Sequence, residues 1–196
     1  MAVPRAGWQR WVVALAAALA VAAAAWRLLW HGDTVRKAKK KARGGGKTPG
    51  KGKGQGRVTV FNSYPKPGSR EGKDYSGDKY RGQFSGIKGK KSQKWVAQHN
   101  IVAVHEKDFP GLRGKWVRIK TKGGKTIDAR VVDECSDKDC SGCCTRNSGG
   151  KNGFLLDLEA STAKRAGVKN GGGGVASYQV IDKPDPKYLM GTSAKF

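Results

Sequence analysis

The sequence predicts a small, mainly β domain, a barrel or a sandwich, preceded by one hydrophobic helix and a basic linker. Three observations predict it. Six short runs rich in β-branched and aromatic residues lie between Arg57 and Ile181, separated by turn residues. Only one stretch in that region has a helical pattern. All four cysteines fall within ten positions, 135–144, between two of the runs.

The chain has 196 residues, with 39 Lys+Arg against 15 Asp+Glu, a net charge of +24, and 29 glycines. Residues 1–56 hold twelve basic residues and one acid, Asp33, and carry +11; the remainder carries +13. A basic excess in both parts implies an anionic partner: nucleic acid, an anionic membrane surface or an acidic polysaccharide.

Residues 1–10 are a short basic start. The stretch 11–30, "WVVALAAALAVAAAAWRLLW", is apolar apart from Arg27. About 20 such residues suffice to span a bilayer, and the tryptophans at both ends suit its interfaces. A transmembrane signal anchor is the first reading; a cleaved signal peptide, with small residues near Ala22–Ala25, is the second. Residues 31–56 are rich in Lys and Gly and nearly free of apolar residues, so they read as a flexible tether. The tether is more basic than the start, and the positive-inside bias would therefore keep the C-terminal domain in the cytosol.

The β-like runs, in order, are "RVTVF" (57–61), "KWVAQHNIVAVH" (94–105), "KWVRIK" (115–120), "KTIDARVVD" (125–133), "GFLLDL" (153–158) and "VASYQVI" (175–181). In the fourth, Ile127, Ala129 and Val131 alternate with Asp128, Arg130 and Val132, the period of a strand buried on one face. "DLEASTAKRAG" is the helical stretch, with Asp157 as its expected N-cap, basic residues in its last turn and Gly167 as its stop. His99 and His105 flank a strand and read as structural.

The cysteines are spaced Cys135-x4-Cys140-x2-Cys143-Cys144. A structural zinc site usually draws on two separated pairs. A redox C-x-x-C at Cys140–Cys143 lacks the strand–helix context that activates a thiol. Two local disulfides in an exported loop is the favoured reading, and pairing the neighbours Cys143 and Cys144 is disfavoured by geometry, which leaves two connectivities. Disulfides need an oxidising compartment. That weighs against the charge bias and places the domain on the exoplasmic side, membrane-anchored or secreted.

"KTIDARVVDEC…GFLLDLEASTAKRAG" resembles the central signature of the double-psi β-barrel domains of the expansin, loosenin, barwin and RlpA-like group. There a strand runs into V-x-D-x-C, and a later strand ends in an apolar-apolar-Asp-Leu-Ser segment that opens a short helix. "NIVAVHEKDFPGLRGKWVRIK" and "GGGGVASYQVI" are similar to the group's blocks on either side. The resemblance implies a six-stranded double-psi β-barrel with one or two short helices over 57–183, followed by a tail, 184–196. It implies that Asp157 and Asp133 line a sugar-binding groove, with Asp157 matching the acid of related glycosidases and lytic transglycosylases. Tyr64 sits where the group has a residue facing the sugar. Trp95 and Trp116 are further candidates, since indoles stack on sugar rings. The group's N-terminal cysteine, the cysteine after G-K (Trp116 here) and the His of its H-F-D segment are missing.

The expectation is an expansin-like, non-hydrolytic protein that binds and loosens cell-wall polysaccharide, as a monomer and without metal or cofactor. Its runner-up is a glycosidase or lytic transglycosylase with Asp157 as general acid. Hydrolysis ordinarily takes two carboxylates, and "RVTVFNSYPKPG" offers none. A basic binder of anionic polymers or lipids is a third reading. Nucleic acid is the least favoured partner, since no nucleic-acid module is recognisable.

Overall fold

The computed structural model describes residues 52–74, 79–169 and 172–196. The hydrophobic segment 11–30 and most of the linker lie outside them. Among the described residues no helix is long and apolar enough to cross a membrane.

Six strands form a closed barrel: β1 (Lys53–Phe61), β2 (Ile101–His105), β3 (Trp116–Lys120), β4 (Thr126–Cys135), β5 (Leu155–Glu159) and β6 (Gly174–Ile181). Around the ring they run β1-β5-β2-β4-β3-β6, and β6 pairs back onto β1. β1 with β5 and β2 with β4 are parallel; the other four pairings are antiparallel. This is the closed six-stranded barrel that the sequence implied. Short helices occupy the connections: α1 (Arg70–Asp74), α2 (Gln93–Ala97), α3 (Phe109–Leu112), α4 (Cys143–Ser148), α5 (Ala160–Arg165) and α6 (Pro186–Leu189).

Alternation decides what each strand contributes. Ile127, Ala129 and Val131 of β4 point inward with Val117 and Ile119 of β3, Val102 and Val104 of β2, Leu156 and Leu158 of β5, and Val58 of β1. A second apolar cluster lies outside the barrel, where Ile101 and Val132 meet Phe84 and Val96, with Tyr64, Trp95 and Phe196 against them. β2 is buried at all five positions because both its faces are covered.

The ladder between β2 and β4 carries one irregularity. Val102 pairs with Val131, but Ala103 pairs with Asp133, so Val132 is an extra residue. A bulge of this kind re-aims the side chains that follow it. Without it, Asp133 would share the inward face of Val131; with it, Asp133 joins the outward face of Ala103.

Two local expectations are corrected. The run from Lys94 to His105 is not one strand: Ser92 caps α2, its hydroxyl accepting from the Trp95 amide, and the strand begins only at Ile101. The helix after β5 is capped not by Asp157 but by Glu159, whose carboxylate accepts from the Ser161 amide at 2.7 Å. Asp157 stays within the strand, free of that structural duty.

The cysteines form Cys135–Cys144 and Cys140–Cys143, one of the two connectivities left open by the sequence. An ion pair with one buried partner holds the other end of β4. Asp128, fully buried, takes both Nε (2.8 Å) and Nη2 (2.9 Å) of Arg118, and it accepts from the Asp185 amide at the start of α6. Leu158, with no exposed surface, sits in the inner core. Leu158→Ala is expected to cost about 2–5 kcal/mol, measured as a fall in the urea midpoint at unchanged slope.

Candidate functional site

The register brings four outward-facing positions into one row across four neighbouring strands. Thr59 of β1 pairs with Asp157 of β5, Asp157 with Ala103 of β2, and Ala103 with Asp133 of β4. The two aspartates expected from the sequence are therefore on one face, two strand spacings apart, about 9–10 Å between Cα atoms. The residue between them is the small, buried Ala103.

Each carboxyl has a defined partner. Thr59 Oγ1 donates to Asp157 Oδ1 at 2.6 Å. The Ser85 amide donates to Asp133 Oδ1 at 3.0 Å. The loop carrying Ser85 is pressed against β4: the Gly86 amide donates to the Val132 carbonyl at 2.7 Å, and a Cβ at Gly86 would stand only 2.6 Å from that oxygen. Any residue larger than glycine there would lift the loop away from Asp133.

Burial pushes the Asp157 carboxyl up to about 7, against the hydrogen bond from Thr59, and the like charges of Asp133 and Glu71 push the same way. Asp133 is raised to about 6, again chiefly by burial, against the amides of Ser85 and Glu134. Glu71 and Glu159 are also raised by burial. Glu159 holds the Ser63 hydroxyl at 3.1 Å as well as the Ser161 amide, and Glu71 accepts from the Asn62 amide. Four carboxyls thus gather on a protein of net charge +24, and no cation is among the influences on Asp157 or Asp133.

Glu71 and Glu159 were not anticipated. Glu159 follows Asp157 by two residues, so strand alternation places it on the same face, a signal the sequence did hold. Glu71 comes from a separate helix, α1, and no spacing rule ties it to Asp157.

The other candidates stand elsewhere. The Tyr64 hydroxyl donates to the Lys91 carbonyl, fastening the turn after β1 to the loop before α2. Trp95 stacks on His99 with ring centroids 3.8 Å apart, and Phe196 meets it edge-on. Trp116 is buried, also against Phe196. The two indoles therefore share an outer aromatic cluster rather than the carboxyl row. The cysteine loop follows Asp133 at the end of β4, where His105 Nε2 lies 3.0 Å from Thr145 Oγ1 and 3.3 Å from Asp137 Oδ2.

The pH dependence of stability follows from Asp157. Between 3.8 and about 7 the unfolded chain has ionised this group while the folded chain keeps its proton. The stability it contributes is therefore full below that range and is lost as pH rises through about 7. Asp157→Asn is expected to flatten the fall in urea midpoint between pH 5 and pH 8, without abolishing what Asp133, Glu71 and Glu159 contribute. Thr59→Val, which removes a bond favouring the ionised form, is expected to move the Asp157 midpoint above about 7 in a carboxyl-carbon NMR titration.

No known family matches the chain, and no curated protein matches it. Among solved structures, a mutant GH45 endoglucanase in complex with cellobiose is similar at 14% identity, over 69% of this chain and 84% of that one, with a TM-score of 0.38. A score of that size carries no weight for the site, which rests on the strand register and the carboxyl geometry of this chain.

Proposed function

We propose that the chain is an expansin-like cell-wall protein that takes up a polysaccharide strand along the Thr59–Asp157–Ala103–Asp133 row without hydrolysing it. The observation that supports this is the state of the carboxyls. Asp157 keeps its proton up to about pH 7, so it can donate a hydrogen bond to a sugar oxygen. The carboxylates around it are engaged by their own scaffold: Asp133 by Ser85, Glu71 by Asn62, and Glu159 by Ser63 and Ser161. A neutral acid flanked by committed carboxylates suits binding better than the acid-and-base pair of hydrolysis. The net charge of +24 favours acidic wall polymers and concentrates them near the surface. In this reading the segment 11–30 anchors or exports the domain to the exoplasmic side, where the two disulfides persist.

One observation favours a second reading. A carboxyl that titrates near 7 is also well matched to general-acid catalysis. A lytic transglycosylase, in which the substrate's own hydroxyl attacks, needs only that acid.

The test is to incubate the full chain in detergent micelles, with its Asp157→Asn and Asp157→Ala variants, with cellulose, chitin, pectin and peptidoglycan. Bound fraction and newly released sugar ends are recorded together. Binding without release is expected. The carboxamide should preserve it, since it still donates a hydrogen bond, and alanine should weaken it about tenfold. Parent binding should fall as pH rises through about 7, while Asp157→Asn binding should not. Release of sugar ends by the parent, lost in Asp157→Asn, would replace this reading with the enzymatic one.

A further inference from the structure

The two disulfides lie against each other. Cys140 Sγ is 3.7 Å from Cys144 Sγ, and Cys143 Sγ is 3.8 Å from it. The sulfurs of Cys135, Cys143 and Cys144 all fall within 4.8 Å of one another. In a tetrahedral zinc thiolate, with Zn–S about 2.3 Å, neighbouring sulfurs stand about 3.8 Å apart. Cys144 is thus already at the spacing of a metal site from Cys140 and Cys143, and Cys135 lies within 4.8 Å of Cys143; on reduction the two bonded pairs would need to part and Cys135 and Cys140 to draw together.

The loop is also held by bonds that do not depend on sulfur. Asp137 accepts from the Thr145 amide at 2.9 Å and from its hydroxyl at 2.5 Å. Glu106 accepts from the Ser136 hydroxyl at 2.7 Å and from the Asp137 amide at 3.3 Å. The Gly142 amide donates to the Asp137 carbonyl at 2.9 Å, and Arg146 closes onto the Ser141 carbonyl at 2.6 Å. None of these bonds runs through a sulfur, and of the four sulfurs they surround only that of Cys144 is fully covered.

We propose that the reduced form of this loop binds a thiophilic divalent cation, Zn2+, through the thiolates of Cys135, Cys140, Cys143 and Cys144. The same residues are a covalent staple under oxidising conditions and a tetrahedral sulfur site under reducing ones. The chemistry balances. Each of two dithiol reductants gives two electrons and two protons to one disulfide, closing to a cyclic disulfide itself, and four thiols result. The cation then displaces the four thiol protons. Asp137, whose carboxylate oxygen lies within 4.8 Å of Cys140 Sγ and Cys144 Sγ, stands beside the cation as a neighbouring charge anchored by Thr145.

The experiment uses the full chain in detergent, oxidised or reduced with a phosphine, titrated with Co2+ and then with Zn2+. The reduced chain is expected to take up a single Co2+ with the ligand-field and sulfur-to-cobalt absorption of a tetrahedral thiolate site, and Zn2+ is expected to displace it. The oxidised chain should show neither band. Cys144→Ser is expected to bind at least about tenfold more weakly, with diminished charge-transfer absorption. The proposal is overturned if the reduced chain develops no such absorption, or if the oxidised chain or Cys144→Ser binds as tightly. Circular dichroism on each sample reports whether the barrel persists; a barrel intact after reduction but without the bands counts against the proposal.

Discussion

With six strands closed into a ring, a side chain in the sheet has two destinations: the sealed interior or the outer face. The interior accepts only apolar groups at useful cost, and strand geometry assigns the faces in strict alternation. Every other feature of the protein is arranged around that constraint. Leu156 and Leu158 go in, so Asp157 and Glu159 go out or to the rim. Val58 goes in, so Thr59 faces outward beside Asp157. β4 alone cannot deliver its aspartate by alternation, and the extra residue at Val132 solves this. Val132 itself lies in the outer apolar cluster and its carbonyl accepts from the Gly86 amide, so the residue that disturbs the ladder anchors the loop that supplies Ser85 to Asp133. One irregularity thus sets both the direction of a carboxyl and the position of its hydrogen-bond donor.

The electrostatics of the row run against those of the chain. A basic surface of this size would ordinarily hold its carboxylates ionised by pairing them with lysine or arginine. Asp128, fully buried, is joined to Arg118 by two hydrogen bonds. Asp157 and Asp133 are treated differently: they are crowded by protein, given only neutral donors, and set near other acids. Asp128 and the two aspartates of the row thus differ in their partners.

Much of this was legible in the residues, and the failures have physical causes. The β-runs, the barrel class and both aspartates could be read because alternation and turn residues are local properties. The identity of the α5 cap was misjudged because Asp157 and Glu159 both precede the helix, and only the structure shows that the strand runs on to Glu159 and the helix begins at Ala160. The strand character of Lys53–Gly56 was masked by composition. Gly54 and Gly56 read as tether, yet Cβ atoms there would meet the Tyr178 hydroxyl at 3.1 Å and its ring at 3.2 Å, and Phe154 at 3.0 Å. Glycine is needed where two stacked rings, with centroids 4.2 Å apart, approach the strand. Glu71 could not be found because its approach to Asp157 is purely tertiary. Trp95 and Trp116 drew attention as indoles, but stacking surface serves a core as well as a ligand.

Thr59 and Asp157 are separated by 98 positions, whereas Cys135 and Cys144 are separated by nine. Closing the longer interval costs the unfolded chain about 2 kcal/mol more in configurational entropy. The cystine loop can therefore organise from local chain alone, while the hydrogen bond that defines the acid waits for the first and fifth strands to find each other. Parallel pairing over such distances gives the chain a high contact order and a slow route to the native ring. A chain stalled short of that step would already be cross-linked, soluble in its lysine-rich regions, and without its acid.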